Sequence, residues 1–220
     1  MSAGIHLPGE SALYRERRDE LLSAEVELRD KLEQVAQLRR QLPAGGIAQN
    51  YVFQQTSGNV TFAQLFGRHD TLIVYSFMFG GSQQAPCPMC SAFIDSVSGQ
   101  IKHIQQRAGF VVVARSEPEP LARLVAANGW DDITWVSAAH NTYPLDYHSE
   151  MADGTQVPMC SVFTRDKDEI RHFWTSEMFF SPAETQPRHI DLLWPLWNFF
   201  DLTPEGRGNF MPGLNYAPFA

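Results

Sequence analysis

The sequence predicts an α/β domain, a central mixed β-sheet flanked by helices, with a long helical arm in front of it. Three observations predict it. Residues 11–41 are dense in Glu, Arg, Lys, Leu and Ala and hold no Pro or Gly, a composition suited to one uninterrupted helix. Beyond residue 50, short apolar β-branched runs alternate with helical patterns, the signature of parallel strands joined by crossover helices. Near the end, two apolar runs separated only by the polar stretch 165–169 describe an antiparallel hairpin.

The elements follow in order. In the arm, Leu21, Leu28, Val35 and Leu42 recur every seven residues, with Ala24, Leu32 and Leu38 filling the stripe. That spacing predicts a helix with one buried face, packed either on its own domain or, as a repeat close to 3.5 favours, on a second chain, and a homodimer through the arm is the expectation. Pro43-Ala44-Gly45-Gly46 ends it. Tyr51-Val52-Phe53 reads as a short strand, Gly58-Asn59 as a turn, and residues 60–66 as an entry strand followed by one helical turn. Residues 71–79 form a long apolar strand and 91–107 a helix. Residues 110–114 are a buried strand, 118–128 a helix closed by Gly129, and 133–136 another strand. After an irregular insert, residues 141–156, the hairpin strands 160–164 and 170–174 come next. A final helix over 188–200 carries Ile190, Leu193, Trp194, Trp197 and Phe200 at helical spacing despite Pro195. The organisation is an arm over 1–46, a domain over 47–204 and a tail over 205–220.

Composition narrows the function. With 17 Lys and Arg against 25 Asp and Glu, the net charge of -8 is spread without a basic block, so nucleic acid and anionic membranes are not expected partners. No run approaches the ~18 apolar residues of a membrane span, and residues 1–20 lack the apolar core of a signal peptide. A cytoplasmic location is the expectation. The three cysteines, Cys87, Cys90 and Cys160, are too few for a disulfide framework.

Cys87-Pro88-Met89-Cys90 carries the chemistry. It falls between the long apolar strand and the helix after it, where the first thiol meets unpaired N–H groups and the positive end of the helix dipole, which favour thiolate. Pro88 suits the first helical position, where no N–H is needed. Cys87 is thus the expected attacking thiol and Cys90 the resolving one. The same spacing makes half of a zinc site, so a metal held by Cys87, Cys90, Cys160 and one histidine stays open. His140 and His148 lie in or beside the insert, yet no histidine forms a close-spaced ligand pair with the cysteines, and no cofactor is expected. Cys160, in a hairpin strand, reads as a small buried hydrophobe, with a third redox thiol near the pair as the alternative. Val157-Pro158 stands just before the first hairpin strand.

A parallel unit with a cysteine pair opening its first helix, then a proline, a hairpin and a closing helix, resembles the thioredoxin plan, in which a cis proline at this place faces the dithiol. The resemblance implies that Pro158 is cis and near the cysteines, with Val157, Pro158, Pro88 and Met89 binding the substrate. More specifically, the chain resembles the bacterial thioredoxin-like proteins of domain-of-unknown-function family 899, relatives of the thioredoxin and thiol peroxidase group. The resemblance is carried by Tyr51-Val52-Phe53, Ile73-Val74-Tyr75, Phe77-Met78-Phe79-Gly80, Cys87-Pro88-Met89-Cys90-Ser91, Gly129-Trp130, Trp135-Val136-Ser137, Ser161-Val162-Phe163 and residues 201–207. It implies a thioredoxin-like fold and a thiol redox role on a thiol or disulfide substrate, protein or small molecule. Two rivals stand beside thiol–disulfide exchange. A peroxidase motif resembling Pro-x-x-x-Thr-x-x-Cys is missing, because Gly80 and Gln84 occupy its first two places. A binding scaffold would use the aromatic residues between Phe173 and Phe200, which are more often core than contact.

Overall fold

The computed structural model describes residues 5–181 and 190–216. It divides into two units, residues up to 43 and residues 44 onward. The first is built on α1 (Ala12–Arg40), capped by the Ser11 hydroxyl, which accepts from the Tyr14 N–H, with Arg39 and Arg40 in the last turn facing the negative end of the dipole. No α1 residue is buried, and Leu21, Leu28, Leu32 and Leu38 are exposed.

The second unit contains β1 (Val52–Gln55), β2 (Gly58–Thr61), α2 (Phe62–Leu65), β3 (Thr71–Gly80), α3 (Pro88–Ser98), α4 (Ile101–Ile104), β4 (Gly109–Arg115), α5 (Pro118–Asn128), β5 (Thr134–Ser137), α6 (Tyr143–Asp146), β6 (Met159–Asp166), β7 (Glu169–Thr175) and α7 (Pro195–Asp201). The strands form one sheet in the order β2-β1-β5-β4-β3-β6-β7. Strands β5, β4 and β3 are parallel, while β6 runs antiparallel to β3 and β7 antiparallel to β6. A β3-α3-β4 crossover, a hairpin added on the far side of β3 and a closing helix together make a thioredoxin-like α/β fold.

Alternation along the strands sorts side chains to two faces. Tyr75, Phe77, Val112, Ala114 and Cys160 face a core shared with α3, α5 and α7, closed by Trp130, Trp135, Trp194 and Trp197. Leu72, Val74, Val111, Val113 and Phe163 face the other way, onto Phe53, Phe62, Phe66 and Tyr143. Because β3 and β4 are covered on both faces, they read as unbroken apolar runs rather than alternating ones.

Several boundaries depart from the sequence expectations. The β1–β2 turn falls at Thr56-Ser57, so Gly58 and Asn59 belong to a strand. The helix expected over 91–107 begins earlier and breaks at Gly99, the C-cap of α3, before resuming as α4. Of the helix expected over 188–200, residues 188 and 189 lie outside the described residues. The rest is a 3-10 turn, Asp191–Leu193, and then α7 starting at Pro195. Proline lacks the N–H that an interior helical position donates, so it starts α7 instead of lying inside a longer helix. Trp194 and Trp197 are core, whereas Phe199 is exposed. Arg207 ties the end of the chain to this region by pairing with Asp191 and Asp201 while lying over the Trp197 ring.

Candidate functional site

The dithiol is placed by the end of β3. After β3 the chain makes a short excursion that closes where the Cys87 N–H donates to the Met78 carbonyl at 3.1 Å. Gly80 permits it, with φ of 88° and a Cα so close to the Ser116 backbone that a Cβ would fall 2.2 Å from the Ser116 nitrogen. Cys87 is the N-cap of α3 and Pro88 its first residue, as the sequence predicts. The Cys87 sulfur accepts from the Cys90 N–H at 3.5 Å, and Ser91 returns its hydroxyl to the Cys87 carbonyl at 3.0 Å.

This setting separates the two thiols electrostatically. The Cys87 thiol is pulled below its ordinary range, first by the hydrogen bond from the Cys90 thiol and then by the Cys90 and Met89 N–H groups, against the opposing effect of burial. Cys90 moves the other way. Burial raises it, and its hydrogen bond to Cys87 raises it further, since its proton is held between the two sulfurs. Both are buried, Cys87 at 6% and Cys90 at 1% exposure, and both are free thiols.

Tyr75 belongs to the site and escaped the sequence reading. Its hydroxyl lies against the Cys90 thiol and favours the thiolate there. On the neighbouring strand Tyr75 pairs with Cys160, so β6 brings the third cysteine onto the dithiol's face of the sheet. Cys160 is buried and pushed up to about 12 by that burial. In sequence Tyr75 is one more apolar residue of a buried strand; only the tertiary structure brings its hydroxyl to Cys90 and sets it beside Cys160.

Pro158 enters β6 one residue before the Met159–Ser76 pair, at the end of β3 from which the chain runs to Cys87. The expected cis bond is a correction. No peptide bond among the described residues is cis, so Val157–Pro158 is trans. The Val157 N–H is bonded to the Ser149 carbonyl at 2.9 Å, and from that anchor the chain runs directly into β6. The Val157 side chain is buried, while Pro158, Pro88 and Met89 are half-buried. The insert borders the site through its last residues. Gln156 donates its amide to the Gly80 carbonyl, and the Ser82 hydroxyl donates to the Gly154 carbonyl at 2.6 Å. Arg115 ties the chain just before the insert to the insert itself, bonded to the Ala138 carbonyl at 2.7 Å and ion-paired with Glu150.

Other candidates lie elsewhere. His140 pairs with Glu117, and His148 lines a cavity with Met159 and His172. Among the described residues no three His, Cys, Asp or Glu side chains gather as a metal ion requires, the three cysteines included.

A family described as "Bacterial protein of unknown function (DUF899)" matches residues 6–217, nearly the whole chain. The chain belongs to the DUF899 family. No curated protein matches this DUF899 chain. Solved structures similar to it include peroxidoxin BcpB from Mycobacterium tuberculosis, 14% identical over 70% of this chain and 95% of that chain, with a TM-score of 0.47. PrxQ from Xylella fastidiosa, solved as a cysteine-to-serine mutant, is 13% identical over 70% and 94%, with a TM-score of 0.48. A secreted Mycobacterium tuberculosis disulfide oxidoreductase homologous to E. coli DsbE is 16% identical over 66% and 93%, with a TM-score of 0.40. The fold of the DUF899 chain is assigned from its own strand order and not from these likenesses. No helix among its described residues is long and apolar enough to cross a membrane.

Proposed function

We propose that the protein is a thiol–disulfide oxidoreductase in which Cys87 attacks and Cys90 resolves. The observation that carries this reading is the position of the Cys87 sulfur at the α3 N-cap, where it takes hydrogen bonds from the Cys90 thiol and from backbone N–H groups. The Cys87 thiolate attacks one sulfur of a substrate disulfide. A Cys87–substrate disulfide forms, the substrate S–S bond breaks, and the other half leaves as thiolate. The Cys90 thiol then gives up its proton to that leaving thiolate, with Tyr75 stabilising the charge left on sulfur. Cys90 attacks Cys87, forms the intramolecular disulfide and expels the second substrate thiolate. The substrate gains two electrons and the dithiol loses two, to be restored by an external dithiol.

Val157 and Pro158 are the proposed docking edge, with Pro88 and Met89 opposite. The Val157 side chain is buried and its N–H is occupied, so what it offers an incoming peptide or thiol is its carbonyl. Pro158 leaves that edge without an N–H of its own.

The test is a redox titration with a mass-spectrometric thiol count, joined to trapping. Two thiols are expected to disappear together on oxidation, and Cys90→Ser is expected to accumulate a mixed disulfide on Cys87 with a small disulfide substrate. A pair that stays reduced across the accessible potentials, or faster labelling of Cys90 than of Cys87, refutes the assignment and favours a non-redox binding scaffold.

A further inference from the structure

The face of the sheet turned away from α3 carries an open cavity of about 860 Å³, a size typical of small-molecule sites. Strands β6 and β7 supply its floor. Met159 lies beside Ser76 and His172 beside Phe163, and Phe163 belongs to the core opposite the dithiol. One wall comes from the end of α6 and the residues after it, the other from the turn that follows β7.

Its lining is aromatic and acidic. Tyr147 stacks on the His172 ring at 5.8 Å with 26° between the planes, and Phe180 meets His148 edge-on from the other wall at 6.1 Å. Asp146 and Glu177 contribute carboxylates, one to each wall, and no Lys or Arg is among the described lining residues. Asp146 is held in place by the Tyr51 hydroxyl at 2.8 Å and the Thr142 hydroxyl at 2.7 Å. Both bonds fall on Oδ2, and no described residue bonds Oδ1. His172 brings no compensating charge: burial holds its imidazole below the ordinary range, and Nε2 is engaged with the Thr175 hydroxyl at 2.6 Å.

Aromatic faces present negative charge density and attract cations most strongly where water is partly excluded. Two carboxylates add to that attraction and repel anions, while the polarizable Met159 thioether fits an apolar body. We propose that this cavity binds a small organic cation, an amine or quaternary ammonium bearing an aromatic or short apolar group. The site lies across the sheet from the dithiol and does not depend on the redox reading.

Titration of the reduced full-length protein, with methionine methyls isotopically labelled, tests it by nuclear magnetic resonance. Benzyltrimethylammonium is the probe; benzyl alcohol and benzoate are its neutral and anionic counterparts. The cation is expected to shift the Met159 and Met178 methyl signals saturably, about tenfold more tightly than benzyl alcohol, with benzoate inactive. Glu177→Gln and Phe180→Ala alter exposed side chains. Each is expected to weaken the cation by about three- to fivefold. Equal binding of the alcohol or the anion, cation binding unmoved by both variants, or shifts absent from Met159 and Met178 each overturn the proposal.

Discussion

Removing the Cys90 thiol is expected to raise the pKa of Cys87 by about one to two pH units. The Cys90 thiol is the largest of the influences that lower Cys87, ahead of the Cys90 and Met89 N–H groups. A hydrogen bond to a charged group contributes about 1.5–3 kcal/mol, and about 1.36 kcal/mol corresponds to one pH unit. Cys90→Ala deletes the donor and leaves the backbone N–H groups in place, so the rise is partial. Cys90→Ser keeps a donor at the same position and should move Cys87 by less than half as much. The assay is the pH dependence of alkylation of the reduced protein by iodoacetamide, with the modified residue identified by mass spectrometry. Cys160, pushed up to about 12, titrates far from this range. Equal shifts in the Ala and Ser variants, or an unchanged Cys87 midpoint in Cys90→Ala, would show that the neighbouring thiol does not set Cys87's acidity.

In the reduced protein, folded Cys87 loses its proton at lower pH than unfolded Cys87. Stability should therefore rise with pH between that lowered value and the ordinary thiol value of about 8.5, by at most ~1.4 kcal/mol per pH unit. Urea unfolding across this window should show the rise, and Cys87→Ser should abolish it. Above that window Cys90 and Cys160, both raised in the folded state, should reverse the trend. Phe163→Ala removes a fully buried ring centred 4.8 Å from both Phe62 and Tyr147 and should cost about 3–5 kcal/mol in denaturant unfolding; a loss below ~1 kcal/mol would contradict its place in the core. Deleting residues 1–42 should turn a dimer into a monomer by light scattering, since the exposed leucine stripe of α1 is the proposed dimer contact. An unchanged oligomeric state removes that role.

What the sequence determined by itself is what local spacing and composition control. β3 and β4 were legible because strands covered on both faces must be apolar throughout. α1 was legible because residues 11–41 hold no Pro or Gly, which leaves few alternatives. The placement of Cys87 was legible because a strand-to-helix junction dictates an N-cap, with Pro88 just inside it. Tertiary structure decided the rest. A cis or trans X–Pro bond differs by only about 0.5–1 kcal/mol intrinsically, so the surroundings of Val157–Pro158 choose it. The C-terminal periodicity of Ile190, Trp194 and Trp197 reports burial, which a 3-10 turn followed by α7 satisfies as well as one long helix. Tyr75 reaches the dithiol, and Asp146 and Glu177 reach one cavity, only through strand register and the path of the insert. These contacts join residues far apart in sequence, and each depends on packing that no short stretch of chain encodes.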